Sequence, residues 1–315
     1  MKQRFGRHKL PTLPVHPDRK ALVVERCRGL RVLHVGCADA PYTAERLASG
    51  GLLHAQIRAV AKDLWGLDLD HHALALLKEA GFDHLFAADL CAGEGLAPIR
   101  GETFDLIVAT EVIEHLLCPG TALQHLASVM RAGQTKLLVT VPNAYRVDTL
   151  LGLLRGVEFV HPDHNAWYSW FTAVRLMEKS GLSVVESGFY SHHRPGLMPS
   201  SLARMSRASW KHWEKGKQRL VGMATRIGVG ATDPARGKDR FEPDETGGPN
   251  DSGAHGPARN SIPENGTLRW LSRLRGYLAG LPPRLVVTML ARRPAIWADG
   301  IYVVATRNGS GETSA

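Results

Sequence analysis

Short runs of apolar residues alternate with amphipathic segments through the first 190 residues of the chain. The stretch 31–40, RVLHVGCADA, joins a β-branched apolar run to a glycine, as expected of a strand buried on both faces that leads into a tight turn. Segment 71–79 carries apolar residues at helical spacing and is followed by glycine, which is typical of a helix and its end. Strands that alternate with helices predict a parallel sheet with right-handed crossovers. Further strands are predicted at 64–69, 85–88, 104–109, 136–141 and 182–190, and further helices at 17–27, 41–47, 121–131 and 171–179.

The alternation stops near residue 193 and resumes with a last predicted strand at 301–306. Residues 232–265 are rich in Gly, Pro, Asp, Glu and Asn and carry almost no large apolar residues, which predicts a disordered or mobile linker. The flanking segments 202–226 and 268–293 combine Lys and Arg with Trp, Leu and Met, so each could form a lid on the core or lie in a membrane interface. The predicted organisation is a basic N-terminal segment and helix (1–30), a core (31–193), a basic insertion (194–297) that contains the linker, a last core strand (298–308) and a tail (309–315).

The net charge of +9 is divided unevenly along the chain. Residues 1–31 carry +7, residues 32–193 carry −7 and residues 194–293 carry +10. A basic segment suggests an anionic lipid, a nucleic acid or a phosphorylated substrate as partner, although a solvated surface has the same composition. Peripheral membrane contact through the basic insertion is one of these alternatives. Nucleic acid is the less favoured partner, because the acidic core lacks the basic groove that tracks a nucleic-acid backbone, although the basic segments could supply one.

Composition places the chain among globular proteins. Its 315 residues, 44% of them hydrophobic, are enough for a substantial core. Its apolar runs fall short of the roughly 18 residues that span a bilayer, and the N-terminus lacks the apolar region of a signal peptide, so a cytoplasmic location is expected. The four cysteines are scattered without CxxC spacing, and we expect them to be reduced rather than part of a disulfide framework or a zinc site. They are Cys27, Cys37, Cys91 and Cys118.

Acidic residues follow two strands close to the glycine turn. Asp68 ends the strand at 64–69, and Asp89 comes directly after the strand at 85–88. Because the carboxyl ends of parallel strands meet at one edge of a sheet, these residues and Gly36 are expected to form a site for a ribose-bearing nucleotide. The absence of GxGxxG after the first strand argues against an NAD-dependent dehydrogenase.

Five motifs in this region resemble those of class I S-adenosylmethionine-dependent methyltransferases. GCADA, GLDLD, AADL, FDLIVATEVIEHL and KLLVTVPN fall in the order and at the intervals of that family, over roughly 31–190 with a last strand near 301–306. The resemblance implies an α/β, Rossmann-like fold, with a seven-stranded, mostly parallel sheet flanked by helices. The chain departs from the family pattern at His34, where the family has an acidic residue, and at Ala38 and Ala40, where it has glycine. The residues that the resemblance implies for binding S-adenosylmethionine are Gly36, Ala38, Asp68, Asp89 and Leu90.

Acid–base residues follow the fourth predicted strand. A helical turn that started there would place Glu111, Glu114 and His115 on one face. Two carboxylates and an imidazole can bind a divalent metal, perform acid–base chemistry or serve a purely structural role. The loop 161–170, HPDHNAWYSW, is expected to return to the same rim of the sheet. Its candidate residues are His161, Asp163 and His164.

The ExxEH motif resembles two subfamilies of methyltransferases. Small-RNA 3′-terminal 2′-O-methyltransferases hold a magnesium-type ion with two glutamates and two histidines. Ubiquinone-type O-methyltransferases share the ExxEH core and act on phenolic rings that bear lipid tails. The resemblance implies His115, His164 and Glu111 as catalytic residues. It implies a site for Mg²⁺ or Mn²⁺ at Glu111, Glu114, His115 and His164.

We therefore predict S-adenosylmethionine-dependent O-methylation of a small-molecule or lipid-linked acceptor. An alcohol or phenol must lose its proton, which an imidazole can accept near neutral pH or which a metal ion can release by lowering the pKa of the hydroxyl. One alternative is a metal-dependent RNA 2′-O-methyltransferase. Another, from a different class, is a non-catalytic module that binds membranes or partners on the same fold. The pattern identifies neither the acceptor nor the oligomeric state.

Overall fold

The computed structural model describes residues 8–92, 95–153, 156–158, 160–191 and 294–308. Its strands are β1 (Val15–His16), β2 (Arg31–Val35), β3 (Asp63–Asp68), β4 (Leu85–Ala87), β5 (Leu106–Thr110), β6 (Lys136–Pro142), β7 (Leu182–Tyr190) and β8 (Gly300–Arg307). Its α-helices are α1 (Arg19–Cys27), α2 (Thr43–Ala48), α3 (Leu53–Arg58), α4 (His71–Glu79), α5 (Pro119–Ser128), α6 (Val147–Leu153), α7 (Trp170–Lys179) and α8 (Pro294–Trp297). Short 3-10 helices cover Ala97–Ile99 and Ile113–His115.

In the described residues the strands form one sheet in the order β1-β7-β8-β6-β5-β2-β3-β4. Neighbouring strands are parallel except at β8, which lies antiparallel between β6 and β7. The predicted α/β, Rossmann-like fold with a mostly parallel sheet flanked by helices is confirmed. The predicted count of seven strands is wrong, because β1 adds an eighth at the edge by pairing with Phe189 and Tyr190 of β7. A strand of two residues is too short to leave an apolar pattern in the sequence.

Alternating side chains of β2 enter two separate cores. Leu33 belongs to the cluster that contains Leu126 of α5. Val32 belongs to the cluster that contains Val23 of α1 and Ile57 of α3. Successive residues of a strand point to opposite faces, so helices cover both sides of the sheet and leave its carboxyl edge to loops.

Helices α1 and α4 begin where an aspartate supplies an acceptor for their first amide groups. The carboxylate of Asp18 accepts from the amide of Ala21, 2.8 Å away, and α1 therefore begins two residues later than the predicted start at 17. Asp70 likewise caps α4 by accepting from the amide of Ala73 at 2.9 Å. Asp70 follows β3 closely, so the cap also fixes the path of the chain at the carboxyl edge.

The cysteines divide into two pairs. Cys27 and Cys37 are buried and free, as predicted. Cys91 and Cys118 form a disulfide with Cα atoms 6.0 Å apart, which corrects the expectation that all four cysteines are reduced. The sequence could not show this pairing, because the two residues lie on loops that meet only in the folded sheet.

Several predictions concern residues outside the described part of the chain. They are the basic insertion up to residue 293, its linker at 232–265, the choice between a lid and a membrane-facing segment, and the tail at 309–315. The last core strand is present as β8, while the proposed domain boundaries stay predictions. Among the described helices, every one is too short or too polar to cross a bilayer.

Candidate active site at the carboxyl edge of the sheet

The glycine turn after β2 packs directly against the segment that follows β5. Gly36 has a φ of +71°, and a Cβ added there would lie 2.5 Å from Cγ2 of Val112. The amides of Gly36 and Cys37 both donate to the carbonyl oxygen of Leu67, at 2.8 and 3.2 Å. Only glycine meets the two demands of this position, a left-handed backbone and a close approach to its neighbour.

Replacing Gly36 with alanine should therefore destabilise the fold by two separate effects. We expect Gly36→Ala to lower the free energy of unfolding by about 2–4 kcal/mol, from backbone strain and from the contact with Val112. Urea denaturation measures the loss. Gly29→Ala is the matched control, since Gly29 also has a positive φ of +72° but nothing within 4 Å of its added Cβ. Equal losses in the two variants would contradict a steric role for Val112.

Asp68 ends β3 beside this turn. Its Oδ2 accepts from the amide of Ala38 at 2.8 Å, and its Oδ1 accepts from the amide of Asp70 at 3.1 Å. The structure thus brings together three of the residues predicted to bind the nucleotide, Gly36, Ala38 and Asp68. A carboxylate has about four acceptor positions, so Asp68 keeps capacity for the hydroxyl groups of a ribose.

The next strand end carries the other two predicted cofactor residues. β4 pairs with β3, and the amide of Ala88 donates to the carbonyl of Asp68 at 2.9 Å. Asp89 is exposed and accepts from the amide of Cys91 at 2.8 Å. The side chain of Leu90 is buried in the core, and its carbonyl contacts Nδ1 of His125 at 2.8 Å. Asp89 can therefore offer its carboxylate to a ligand, whereas Leu90 offers backbone and an apolar support.

His34 is a core residue in this structure. Its imidazole is buried, and its Nδ1 lies 3.2 Å from Nδ1 of His54 on α3. Burial and the charge of His54 hold the pKa of His34 well below its ordinary value. Burial lowers the pKa of His54 to about 4. His34, at the position where the resemblance led us to expect an acid, is thus a neutral ring stacked on a second neutral ring in the core.

Glu111 is held by groups from two other strands. Its Oε1 accepts from the hydroxyl of Thr140 at 2.7 Å and from the hydroxyl of Tyr190 at 2.8 Å. Burial and the charge of Glu111 raise the pKa of Tyr190 well above its ordinary value, so the phenol keeps its proton and donates. Glu111 also has a φ of +53°, a strained conformation that concentrates at functional sites. Neither Thr140 nor Tyr190 was predicted from the sequence, although both lie on strands that reach this edge.

Glu114 is fully buried two residues beyond Val112. Among the described residues neither carboxyl oxygen has a hydrogen-bond partner. Burial, and secondly the charge of Glu111, raise the pKa of Glu114 to about 9, so the side chain is a neutral acid at neutral pH. Its main-chain oxygen accepts from the amides of Asn165 at 2.8 Å and Ala166 at 3.2 Å. Glu114 therefore anchors the loop that returns after β6.

The expected single helical face is not present. The helix after β5 is a 3-10 turn that begins at Ile113, and Glu111 precedes it with a left-handed backbone. Glu111 and Glu114 consequently do not follow the spacing of one α-helical face with His115. The sequence pattern could not reveal this, because the turn is imposed by packing against Gly36.

Three imidazoles meet beside this turn. The ring centroid of His115 lies 4.7 Å from that of His164 and 5.7 Å from that of His161. Among the described residues this trio is the group whose ligand atoms, one per residue, all lie within 4.8 Å of one another. Glu111 and Glu114 are not in that group. The predicted site for Mg²⁺ or Mn²⁺ at Glu111, Glu114, His115 and His164 stays a prediction. The donors that the structure clusters are nitrogens, whereas Mg²⁺ prefers oxygen ligands.

Comparison with known proteins agrees with this architecture. A family model described as a methyltransferase domain matches residues 7–187. The mitochondrial ubiquinone biosynthesis O-methyltransferase of Homo sapiens is 26% identical over 186 residues, which cover 56% of this chain and 46% of that protein. The ubiquinone biosynthesis O-methyltransferase of Aromatoleum aromaticum is 25% identical over 170 residues, which cover 49% of this chain and 68% of that protein.

A solved structure of a SAM-dependent methyltransferase from Archaeoglobus fulgidus aligns with 91% of this chain and 94% of its own, at 14% identity and a TM-score of 0.43. The match to the human relative spans about half the length of that protein. The family model, in contrast, covers more than half of this chain and includes β1 to β6 together with most of β7. This chain belongs to the family of methyltransferase domains.

Proposed function

We propose that this chain transfers the methyl group of S-adenosylmethionine to an oxygen atom of a small-molecule or lipid-linked acceptor. The observation that carries the proposal is the packing of Val112 against Gly36, because it puts the ExxEH segment at the turn where the family binds its cofactor. The names of the curated relatives, ubiquinone biosynthesis O-methyltransferases, support an oxygen acceptor.

The cofactor-binding role of the strand ends is part of this proposal. Gly36 and Ala38 would receive the cofactor at the turn, Asp68 would bind its ribose, and Asp89 with Leu90 would hold its adenine. S-adenosylmethionine supplies a methyl group on a positively charged sulfur. The remaining task of the protein is to align an acceptor oxygen and remove its proton, for which proximity alone can supply as much as about 7–11 kcal/mol.

Two histidines are suited to accept that proton. Nδ1 of His115 lies 3.2 Å from the carbonyl oxygen of Asp163, which can only accept, so Nε2 of the neutral ring keeps its lone pair. Burial, and secondly the charges of His115 and His161, lower the pKa of His164, which favours the neutral, proton-accepting form of that ring. As the new carbon–oxygen bond forms and the carbon–sulfur bond breaks, the hydroxyl proton passes to an imidazole. Glu111, fixed by Thr140 and Tyr190, would orient the acceptor.

Methyl transfer from isotopically labelled S-adenosylmethionine tests the proposal. The probes are a catechol, the same catechol with a prenyl tail, and an RNA oligonucleotide with a free 3′ end. We expect transfer to a catechol and a fall in kcat of about 100-fold or more in His115→Gln, the loss typical of a removed acid–base group. His72→Gln, a change of an exposed histidine on α4, should leave kcat unaltered.

Two outcomes would overturn the proposal in different ways. Transfer to the RNA alone would favour the RNA 2′-O-methyltransferase. Tight binding of S-adenosylmethionine without transfer to any probe would favour a non-catalytic module on this fold.

Contact of the basic segment 194–297 with a cytoplasmic membrane surface stays a prediction. Faster methyl transfer to the prenylated catechol than to the plain catechol by the wild-type chain would support it.

A further inference from the structure

The three-histidine group forms a compact set of nitrogen donors. Rings of His161 and His164 are 5.3 Å apart, and His115 meets each of them edge-on at 76° and 84°. We propose that His115, His161 and His164 bind a divalent transition metal ion of the zinc type. Neutral imidazole suits Zn²⁺, Cu²⁺, Fe²⁺ and Ni²⁺, and three histidines with one open position are the ligand set of several catalytic zinc sites.

His115 is already oriented as a metal ligand. The carbonyl of Asp163 accepts from its Nδ1 at 3.2 Å, which leaves Nε2 as the coordinating atom. Ligating histidines nearly always donate their second nitrogen to a carbonyl, a carboxylate or a water, which fixes the ring and its tautomer. The main-chain oxygen of His115 is fixed as well, since it accepts from the side-chain amide of Asn165 at 2.7 Å.

Asp163 can serve His161 in the same manner. Oδ2 of Asp163 lies 3.8 Å from Nδ1 of His161. The amide of Asp163 donates to the same nitrogen at 3.3 Å, a bond that would give way when the ring coordinates through Nε2. When Nε2 of His161 coordinates an ion, its proton resides on Nδ1, and the carboxylate of Asp163 is the nearby group that can accept it. One residue would thus orient two of the three ligands.

His164 contains a nitrogen that the protein leaves unsatisfied. Its Nδ1 is buried and has no hydrogen-bond partner among the described residues. A buried polar atom without a partner loses its hydration uncompensated, and such atoms are rare in folded proteins. The amide of His164 donates to the carbonyl of His161 at 3.0 Å, and this turn holds the two rings on one side of the loop. Coordination of an ion would satisfy the unpaired nitrogen.

The three imidazole rings would have to move only a short distance to coordinate one ion. If the three nitrogens lay 4.8 Å from one another, the point equidistant from them would be about 2.8 Å from each. Zinc binds an imidazole nitrogen at about 2.0–2.1 Å. Each ring would move by less than about 1 Å. Because the side chain of His161 is half exposed, at 51%, such a rotation does not disturb the core.

The use of this ion rests on the proposed function. With the ion bound, the three imidazoles would be its ligands and would not accept the proton. An acceptor hydroxyl in the open fourth position would instead have its pKa lowered by the metal and would release its proton to solvent, after which its oxygen is the nucleophile. The binding site itself does not depend on methyl transfer, and the two can be tested apart.

Titration of the untagged, chelator-stripped full chain with Co²⁺, followed by its visible absorption, tests the site. We expect one tetrahedral Co²⁺ per chain, displaced by Zn²⁺ and not by millimolar Mg²⁺. His161→Ala and His164→Ala should each weaken binding about 100-fold or more, and Asp163→Asn should weaken it about 10-fold. His72→Ala is the control that should bind as wild type, and circular dichroism checks that every variant is folded.

Several results would overturn the inference. They are absence of Co²⁺ binding, displacement by Mg²⁺, or equal affinity in wild type, His161→Ala and His164→Ala. Methyl transfer by a chain that binds no metal would remove the inference and leave the proposed function intact. Metal binding without methyl transfer would support the metal site and count against the proposed function.

Discussion

Asp68→Ala should weaken binding of S-adenosylmethionine by at least about 100-fold. A charged carboxylate typically contributes about 1.5–3 kcal/mol to each hydrogen bond it accepts, and a ribose offers two hydroxyl donors. The substitution also removes the acceptor for the amides of Ala38 and Asp70, so the glycine turn loses a support at the same time. Calorimetric titration of the cofactor measures the loss.

The neighbouring carboxylate separates ligand binding from simple loosening of the turn. Asp70→Ala removes the cap of α4 and should cost about 1 kcal/mol of stability, yet leave the cofactor affinity within a factor of about three. The cofactor affinity of Asp68→Asn should lie between those of Asp68→Ala and Asp70→Ala, since an amide oxygen still accepts hydrogen bonds but carries no charge. Unchanged affinity in Asp68→Ala would remove this residue from the binding site.

Glu114→Gln should make the protein more stable at neutral and alkaline pH. The carboxyl of Glu114 has its pKa raised to about 9 in the folded chain, whereas an unfolded glutamate ionises near pH 4.5. Between these values the folded state holds a proton that the unfolded state has lost, so stability falls as pH rises through this window. At about 1.4 kcal/mol per pH unit, the loss between pH 5 and pH 8 amounts to about 4 kcal/mol for this group.

Urea denaturation at pH 5, 6.5 and 8 measures the effect. Wild type should lose stability over this range, and Glu114→Gln should lose markedly less. Glu45→Gln, which changes an exposed carboxylate on α2, is the control and should follow wild type. Identical pH profiles for wild type and Glu114→Gln would mean that Glu114 is ionised in the folded protein, contrary to its buried and unpartnered carboxyl.

The interior strands could be read from the sequence because their surroundings impose a simple rule. A parallel strand covered by helices on both faces is buried throughout and therefore largely apolar, as β5 is, and such runs stand out. α3 and α6 have only six and seven residues, too few for helical periodicity to be distinguished from chance. β1 exists only because β7 offers it an open edge.

The candidate site likewise contains residues that the sequence could predict and residues that it could not. Asp68 was predictable, since an acidic residue at the carboxyl end of a buried strand has a strong positional meaning. The burial of Glu114 and the pairing of Glu111 with Tyr190 were not, because they depend on contacts between residues 79 positions apart. Tyr190 ends β7 at the same edge, but a tyrosine there has no such positional meaning. For His161, the signal was its spacing of three from His164, which a turn converts into proximity.

The position of β8 has a consequence for how the protein is made. β8 lies between β6 and β7, but more than a hundred residues separate the end of β7 from its start. At roughly 5–20 residues per second, a ribosome needs on the order of 5–20 s to synthesise them. Throughout that interval the facing edges of β6 and β7 lack β8, the strand that pairs with both in the described residues, and we expect these edges to need protection in the nascent chain.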